Sequence, residues 1–309
     1  MPRQIAFTTV DAFSSTPFGG NPAAVIIWPD AALAQDDALA QNIAAEFNLS
    51  ETAFGLKLEG GTDKQPRYEL RWRTPTREVN LCGHATLATA HTLFTSHHPD
   101  AESIAFQSRS SGTLIARRIP DASGRTERIA LDFPVSPLVT LEDGHRRRPK
   151  ILETVAEAIR DFDPSRVLRV AWSDVREAAI VELEAGVDLE KLSVDPTPLP
   201  QLGRQLILTC PAPAESGSDI YSRVFAPASG VPEDPVTGAA HTALAPFWLL
   251  DKHSISRLPD PTRAHDTSVL RAKQVSRRGG ELIVKLEEKN KRVELQGSAR
   301  RVMRGVLEL

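Results

Sequence analysis

The stretch "EVNLCGHATLATAHTLF", Glu78 to Phe94, sets a Cys-Gly-His cluster at the start of a run of small and apolar residues that reads as a helix. A second stretch, "GVPEDPVTGAAHTALAPFW", Gly230 to Trp248, again puts glycine and polar residues at a helix start. Aligned from Thr74 and Ala226, the two segments share Pro75 with Pro227 and Val79 with Val231 at one offset; the helix starts fit better if the second copy slips by a residue. With a matching order of elements around them, this reads as an internal duplication. Two copies of one half are expected to face each other about a pseudo-two-fold axis, bringing two helix N-termini to one cleft.

Working outward, 309 residues exceed one ordinary core and fit two domains of about 150 residues each. The proline- and charge-rich stretch Phe133 to Lys150 is the expected boundary, giving domains 1–134 and 135–309, with the last strand free to return to the first domain. In the first half, strands are expected at Ile5 to Phe13, Ala23 to Trp28, Leu49 to Leu58 and Tyr68 to Arg73, the last alternating Tyr68, Leu70 and Trp72 against Glu69, Arg71 and Arg73. A helix is expected over Leu33 to Phe47, stopped at Asn48, which tolerates the left-handed conformation. Connections between the later strand-like runs are too short for helical crossovers, so the sheet should be largely antiparallel. Pro246 is expected to kink or end the second helix.

A net charge of −3 gives no reason to expect nucleic acid or an anionic membrane as partner, and the run Arg146 to Arg148 reads as a solvated linker. Only two cysteines occur, Cys82 and Cys210, in unlike contexts, and no leader-like or spanning apolar segment is visible, so a reducing, cytoplasmic setting is expected. No CxxC, HExxH or GxGxxG spacing is present, so neither a metal nor a nucleotide cofactor is expected.

A helix N-terminus holds anions with backbone N–H groups and its positive dipole end, so two of them suggest a small carboxylate-bearing ligand. Candidate reacting groups lie close by. Glu51 stands at a helix-to-strand transition, where it is either a capping glutamate or a side chain directed into a cleft. Cys82 and His84 flank Gly83 at the first helix entrance: the thiol is either a reactive group or a small buried residue, and the imidazole either a ligand or a cap. Asp234 is read either as a site residue or as a cap of the second helix. An ionisable residue at each entrance with Glu51 upstream is the equipment for proton transfer at carbon. His91 and His241 read as packing residues within the helices.

The motifs "PFGGNPAAV", "EFNLSETAF", "CGHATLATAH", "GVPEDPVTGAAH" and "RRGGEL" resemble those of the PhzF-like, phenazine-biosynthesis-like isomerases, and the resemblance spans nearly the whole chain in order. It implies an α+β, diaminopimelate-epimerase-like fold: two pseudo-symmetric domains, each a mostly antiparallel sheet curled around a central helix, with the site between them, in a homodimer. It also implies isomerisation without a cofactor. Carried onto this chain, Glu51 shuttles a proton between two carbons of a cyclic, amino-acid-like substrate, His84 and Asp234 hold that substrate, Gly83 and Gly238 mark the entrances that bind its carboxylate, and Asn21 comes from the "GGNP" turn. Ala239 stands where the phenazine enzymes have serine. The amino-acid epimerases of this fold pair two cysteines; here Cys82 has no counterpart in Asp234-Pro235-Val236. Three readings therefore stand: an isomerase using Glu51, an epimerase using Cys82 as a second acid/base group, and a small-molecule-binding or scaffold protein that keeps the fold without the chemistry.

Overall fold

The computed structural model describes residues 4–120, 126–259 and 268–309. The chain divides into two units: one runs to Phe133 and takes back Gln296–Leu309, and the other is Pro134–Leu295. Among the described residues no helix is long and apolar enough to cross a membrane.

The first unit contains β1 (Gln4–Ala12), β2 (Asn21–Trp28), α1 (Ala31–Ala34), α2 (Asp37–Phe47), β3 (Glu51–Leu58), β4 (Arg67–Arg73), β5 (Glu78–Val79), α3 (Gly83–Ser96), β6 (Ser103–Gln107), β7 (Thr113–Pro120) and β8 (Thr126–Pro134). β1 pairs antiparallel with β2, β2 parallel with β3, β3 antiparallel with β4, β4 antiparallel with β5 and parallel with β6, and β6 antiparallel with β7. The second unit carries β9 (Val139–Thr140), α4 (Arg148–Ala158), β10 (Val167–Ser173), β11 (Ala178–Leu183), β12 (Gln205–Pro211), β13 (Ile220–Ala226), β14 (Val231–Asp234), α5 (Gly238–Leu249), α6 (Lys252–Ile255), β15 (Val269–Gln274), β16 (Gly280–Glu287) and β17 (Arg292–Gly297). From β10 to β16 its pairings repeat those of β1 to β7 in the same order and sense. The closing strand, β18 (Ala299–Glu308), pairs antiparallel with β1 in the first unit. The fold is α+β, and it is a duplication.

Each unit wraps its sheet on a small-residue helix. α3 packs against β1, β2, β3, β7 and β18, burying ten of its fourteen residues. α5 buries eleven of twelve and runs through Pro246 to Leu249, rather than ending at the proline. The alanines along both helices let the strands approach, and Trp248 and Phe247 fill the wider gaps; each such ring removed from water contributes about 2–3 kcal/mol.

Several local departures from the sequence reading have clear causes. The helix expected over Leu33 to Phe47 is two: Asp36 caps a new one, accepting the Leu39 N–H at 2.8 Å. Asn48 does end α2, with φ 51° and its N–H donating to the Ala44 carbonyl. Arg71 and Arg73 do not alternate outward but are buried, because Asp37 and Glu78 neutralise them. Arg146 and Arg147 of the basic run are exposed, as expected, and the run also makes contacts at the surface: Arg148 pairs with Asp143 at 3.0 Å, and Arg147 lies 4.5 Å from the centre of the Trp172 ring.

The duplication reaches individual side chains. Arg71 on β4 grips Glu78 on β5 through Nε and a second nitrogen, and Arg223 on β13 grips Glu233 on β14 in the same way, both Nε–Oε1 distances being 2.7 Å. Ser111 donates its hydroxyl to the Asn80 carbonyl at 2.9 Å; Ser276 donates to the Pro235 carbonyl at 2.7 Å. Equivalent residues are offset by 152 at the arginines and by 155 at the glutamates and at the helix starts Gly83 and Gly238. The slip between the copies is therefore three residues, not one, and the match of Val79 with Val231 is coincidental: Val79 pairs Trp72 as Asp234 pairs Val224.

Candidate active site

In the first unit, the left-handed turn at Asn48 sends the chain straight into β3, and the parallel pairing of β2 with β3 sets Glu51 beside Ala23, two residues along from Asn21. Glu51, Cys82 and His84, which the sequence singled out separately, meet there. The Glu51 carboxylate (Oε2) lies 3.5 Å from His84 Nε2, and the Cys82 thiol lies 3.4 Å from His84 Nδ1. Ser50, which the sequence reading passed over, joins the group: its hydroxyl is 3.4 Å from His84 Nε2 and 3.4 Å from the Asn21 amide oxygen. Its signal was present in the motif itself, one residue before Glu51.

The cluster is largely withdrawn from water. Asn21 is fully buried, His84 and Cys82 nearly so, and the Glu51 side chain is a fifth exposed. Burial pushes the Glu51 carboxyl above the ordinary glutamate range, because ionising it there sacrifices hydration; hydrogen bonds from Ser50 and Cys82 work in the opposite direction. Gly83 is the first residue of α3, and Cys82, in extended conformation, is its N-cap without using its side chain as a cap. The thiol is thus left to His84 and Glu51. Donor atoms of Glu51, Cys82 and His84 all lie within 4.8 Å of one another, a spacing that would also admit a metal ion. The imidazole, however, turns Nε2 to the carboxylate and Nδ1 to the thiol. Opposite nitrogens facing opposite partners is the layout of a hydrogen-bond chain rather than of three ligands on one ion.

In the second unit, Asp234, Gly238 and Ala239 gather at the start of α5. Here the N-cap is Thr237, at the position of Cys82, and Ala239 stands at that of His84. Thr237 donates its hydroxyl to Asp234 at 2.5 Å, which ties Asp234 to the helix entrance. The side chain of Gln274, wholly buried, accepts the Thr237 N–H at 2.8 Å and donates to the Asp234 carbonyl at 2.5 Å. His241 donates Nδ1–H to the Thr237 carbonyl at 2.8 Å, just as Thr86 donates to the Cys82 carbonyl, and burial drops its pKa to about 4, keeping it neutral. A crevice lined by Lys57, Asp63, Arg67 and His98 lies at the far end of β3 from Glu51, and its charged side chains are solvent-exposed.

The family model "Phenazine biosynthesis-like protein" matches residues 10–305. The mouse phenazine biosynthesis-like domain-containing protein 2 is 39% identical over 96% of each chain. A protein of Pseudomonas aeruginosa described as an uncharacterized isomerase is 38% identical over 99% of each chain. Among solved structures, a phenazine biosynthesis protein of the PhzF family from Enterococcus faecalis superposes with a TM-score of 0.77 at 31% identity, covering 99% of this chain and 100% of that one. Fold and relatives together define the class, and the protein is an isomerase. The chain belongs to the phenazine biosynthesis-like family.

Proposed function

We propose that this isomerase works without a cofactor, with Glu51 moving a proton between carbons of a small carboxylate-bearing, cyclic amino-acid-like substrate. The observation that carries the reading is the Glu51 carboxylate beside His84 in a site where burial raises its proton affinity. Such a carboxylate takes a proton more readily than an exposed one. As base it removes a proton from carbon, and the electron pair left behind delocalises toward the substrate's unsaturated or carboxylate-bearing carbon. As acid it delivers a proton to a second carbon, the proton exchanging with solvent while it is held on the carboxylate, so no other reactant is consumed. The N-terminus of α3 at Gly83 binds the substrate carboxylate, and His84 and Asn21 orient the ligand. In the second unit Asp234, Gly238 and Ala239 belong to an entrance of the same build and serve binding rather than proton transfer. The active form is a homodimer in the cytoplasm.

The test is mass spectrometry of cyclic and dihydroaromatic amino acids incubated in D₂O with wild type and with Glu51→Gln. Deuterium uptake is expected with wild type and is reduced roughly 10²–10⁴-fold by the substitution. Equal uptake by both proteins would remove Glu51 from the chemistry.

A second reading is favoured by the hydrogen bond of Cys82 to Glu51 and by its distance to His84: a thiol and a carboxylate acting as unlike bases in epimerisation. It requires that a thiol alkylator inactivate the enzyme and that Cys82→Ala be inactive. An active Cys82→Ala protein eliminates it. A binding protein without chemistry is distinguished by ligand-induced stabilisation with no deuterium uptake.

A further inference from the structure

The loop joining β1 to β2 contains two phenylalanines with positive φ, Phe13 at 64° and Phe18 at 69°. They are used in opposite ways. Phe13 is buried at 1% exposure and its N–H is held by the Ser298 carbonyl. Phe18 presents its ring to solvent at 73% exposure, more than any other large apolar residue described. Its backbone nevertheless does not wander: the Phe18 N–H donates to the carboxylate of Asp11 at 2.8 Å, and Asp11 is itself buried. A left-handed conformation suits glycine, and glycine occupies the next two positions. A side chain that neither fills the core nor suits its backbone, held in place by a buried charge, points to a use outside the apo fold.

Its location says which use. Asp11 lies opposite Pro22 in the β1–β2 ladder, and the neighbouring pair is Ala12 with Asn21. The Asp11 carboxylate therefore draws Phe18 back over the end of the ladder where Asn21 begins β2. Gly20 allows this return: at φ 66° a Cβ there would stand 2.2 Å from the Ala12 carbonyl. Asn21 in turn reaches Ser50 at 3.4 Å, beside Glu51. The exposed ring thus belongs to the turn that leads directly into Asn21, whose amide oxygen lies 3.4 Å from the Ser50 hydroxyl beside Glu51.

We infer that Phe18 is a substrate-contacting residue, whose ring covers a ligand held at Asn21, Ser50, Glu51 and His84 and selects for one with a flat cyclic face. The inference rests on the proposed function of that cluster. Covering the ligand with an aromatic ring gains contact area and excludes water from the carboxylate at the moment of proton transfer.

The test compares full-length wild type, Phe18→Gly and Phe18→Leu by calorimetric titration with two amino acids of like charge, L-phenylglycine, which carries a ring, and L-alanine, which does not. Wild type is expected to prefer phenylglycine. Phe18→Gly loses roughly tenfold in affinity for phenylglycine with little change for alanine, and Phe18→Leu recovers part of the loss. Phe18→Gly is also expected to melt no lower than wild type, since glycine adopts the loop conformation without strain; a purely structural role predicts a lower melting temperature. Unchanged preference in Phe18→Gly, with deuterium exchange still lost in Glu51→Gln, overturns this inference and leaves the Glu51 reading intact. Binding of neither amino acid by wild type, together with exchange unaffected in Glu51→Gln, overturns both. A change of oligomeric mass in Phe18→Gly with ring preference retained assigns Phe18 to a subunit contact instead, and also overturns it.

Discussion

The two helix entrances share a frame and differ in what the frame holds. In both, an arginine on one strand grips a glutamate on the next, a serine hydroxyl holds the carbonyl two residues later, and a glycine begins a buried helix. At the first, Cys82 and His84 meet Glu51, so the groups present titrate. At the second, Thr237 and Ala239 stand in the same positions, and the amide of Gln274 fixes the loop from both ends. Duplication preserved the parts that set backbone position and left the contents to diverge. Under the proposed function the first entrance reacts and the second holds the ligand.

The largest test of that division is catalytic. Glu51→Gln is expected to lower turnover 10²–10⁴-fold, whereas Asp234→Asn should act mainly by raising KM, by about tenfold, leaving kcat within a few-fold. Steady-state kinetics separate the two. An Asp234→Asn enzyme as inactive in kcat as Glu51→Gln would break the comparison.

Next in size are the arginine–glutamate grips. Arg223→Ala strips Glu233 of its guanidinium and should cost about 3 kcal/mol in denaturant unfolding, the low end for a buried pair because Glu233 is a quarter exposed. Arg71→Ala should cost less, since Arg73 still reaches Glu78 at 3.2 Å. Equal losses would mean that the network around Asp37 adds nothing to the first grip. Smaller again, Gln274→Leu leaves the Thr237 N–H and the Asp234 carbonyl without the amide, at roughly 2 kcal/mol. It should also raise KM more than it lowers kcat, because it loosens the holding entrance alone.

The smallest effect concerns pH. Burial raises the folded pKa of Glu51 above its unfolded value, so its proton stabilises the fold at low pH, and that contribution is lost as pH climbs through the raised value. Glu51→Gln has no proton to lose there. It should melt above wild type at neutral pH, with the difference closing as pH falls below the ordinary carboxylate range. A variant less stable than wild type at neutral pH would contradict the burial argument.

How far the sequence could be read follows from which signals are local. The small-residue helices, the turn at Asn48 and the grouping of Glu51, Cys82 and His84 were legible, because each depends on residues within one motif or on motif order. Arg71 and Arg73 misled, since their alternation with Tyr68, Leu70 and Trp72 is the normal mark of a solvated face; only their partners Asp37 and Glu78, set by tertiary contact, reverse it. The helix α4 was missed because Pro149 and the arginines around it read as a boundary. The proline in fact occupies the first turn, where it is favoured, and Ile151, Val155 and Ala158 keep helical spacing on the buried face. The three-residue slip was hidden by the chance match of Val79 with Val231, since the extra residues lie in the turn at Pro227–Ser229, between Arg223 and Glu233 of the second grip. Thr237 as the counterpart of Cys82 became visible only once that slip was known.

The most direct test of the central claim needs no substrate. Carbon-13 NMR of glutamate carboxyls, with the Glu51 resonance assigned by its loss in Glu51→Gln, gives the titration midpoint of this one group. The account predicts a midpoint above the 4.5 of an ordinary glutamate, moving higher still in Ser50→Ala as a hydrogen bond to the carboxylate is removed. A midpoint at or below 4.5 would contradict a buried carboxyl poised to exchange a proton with carbon.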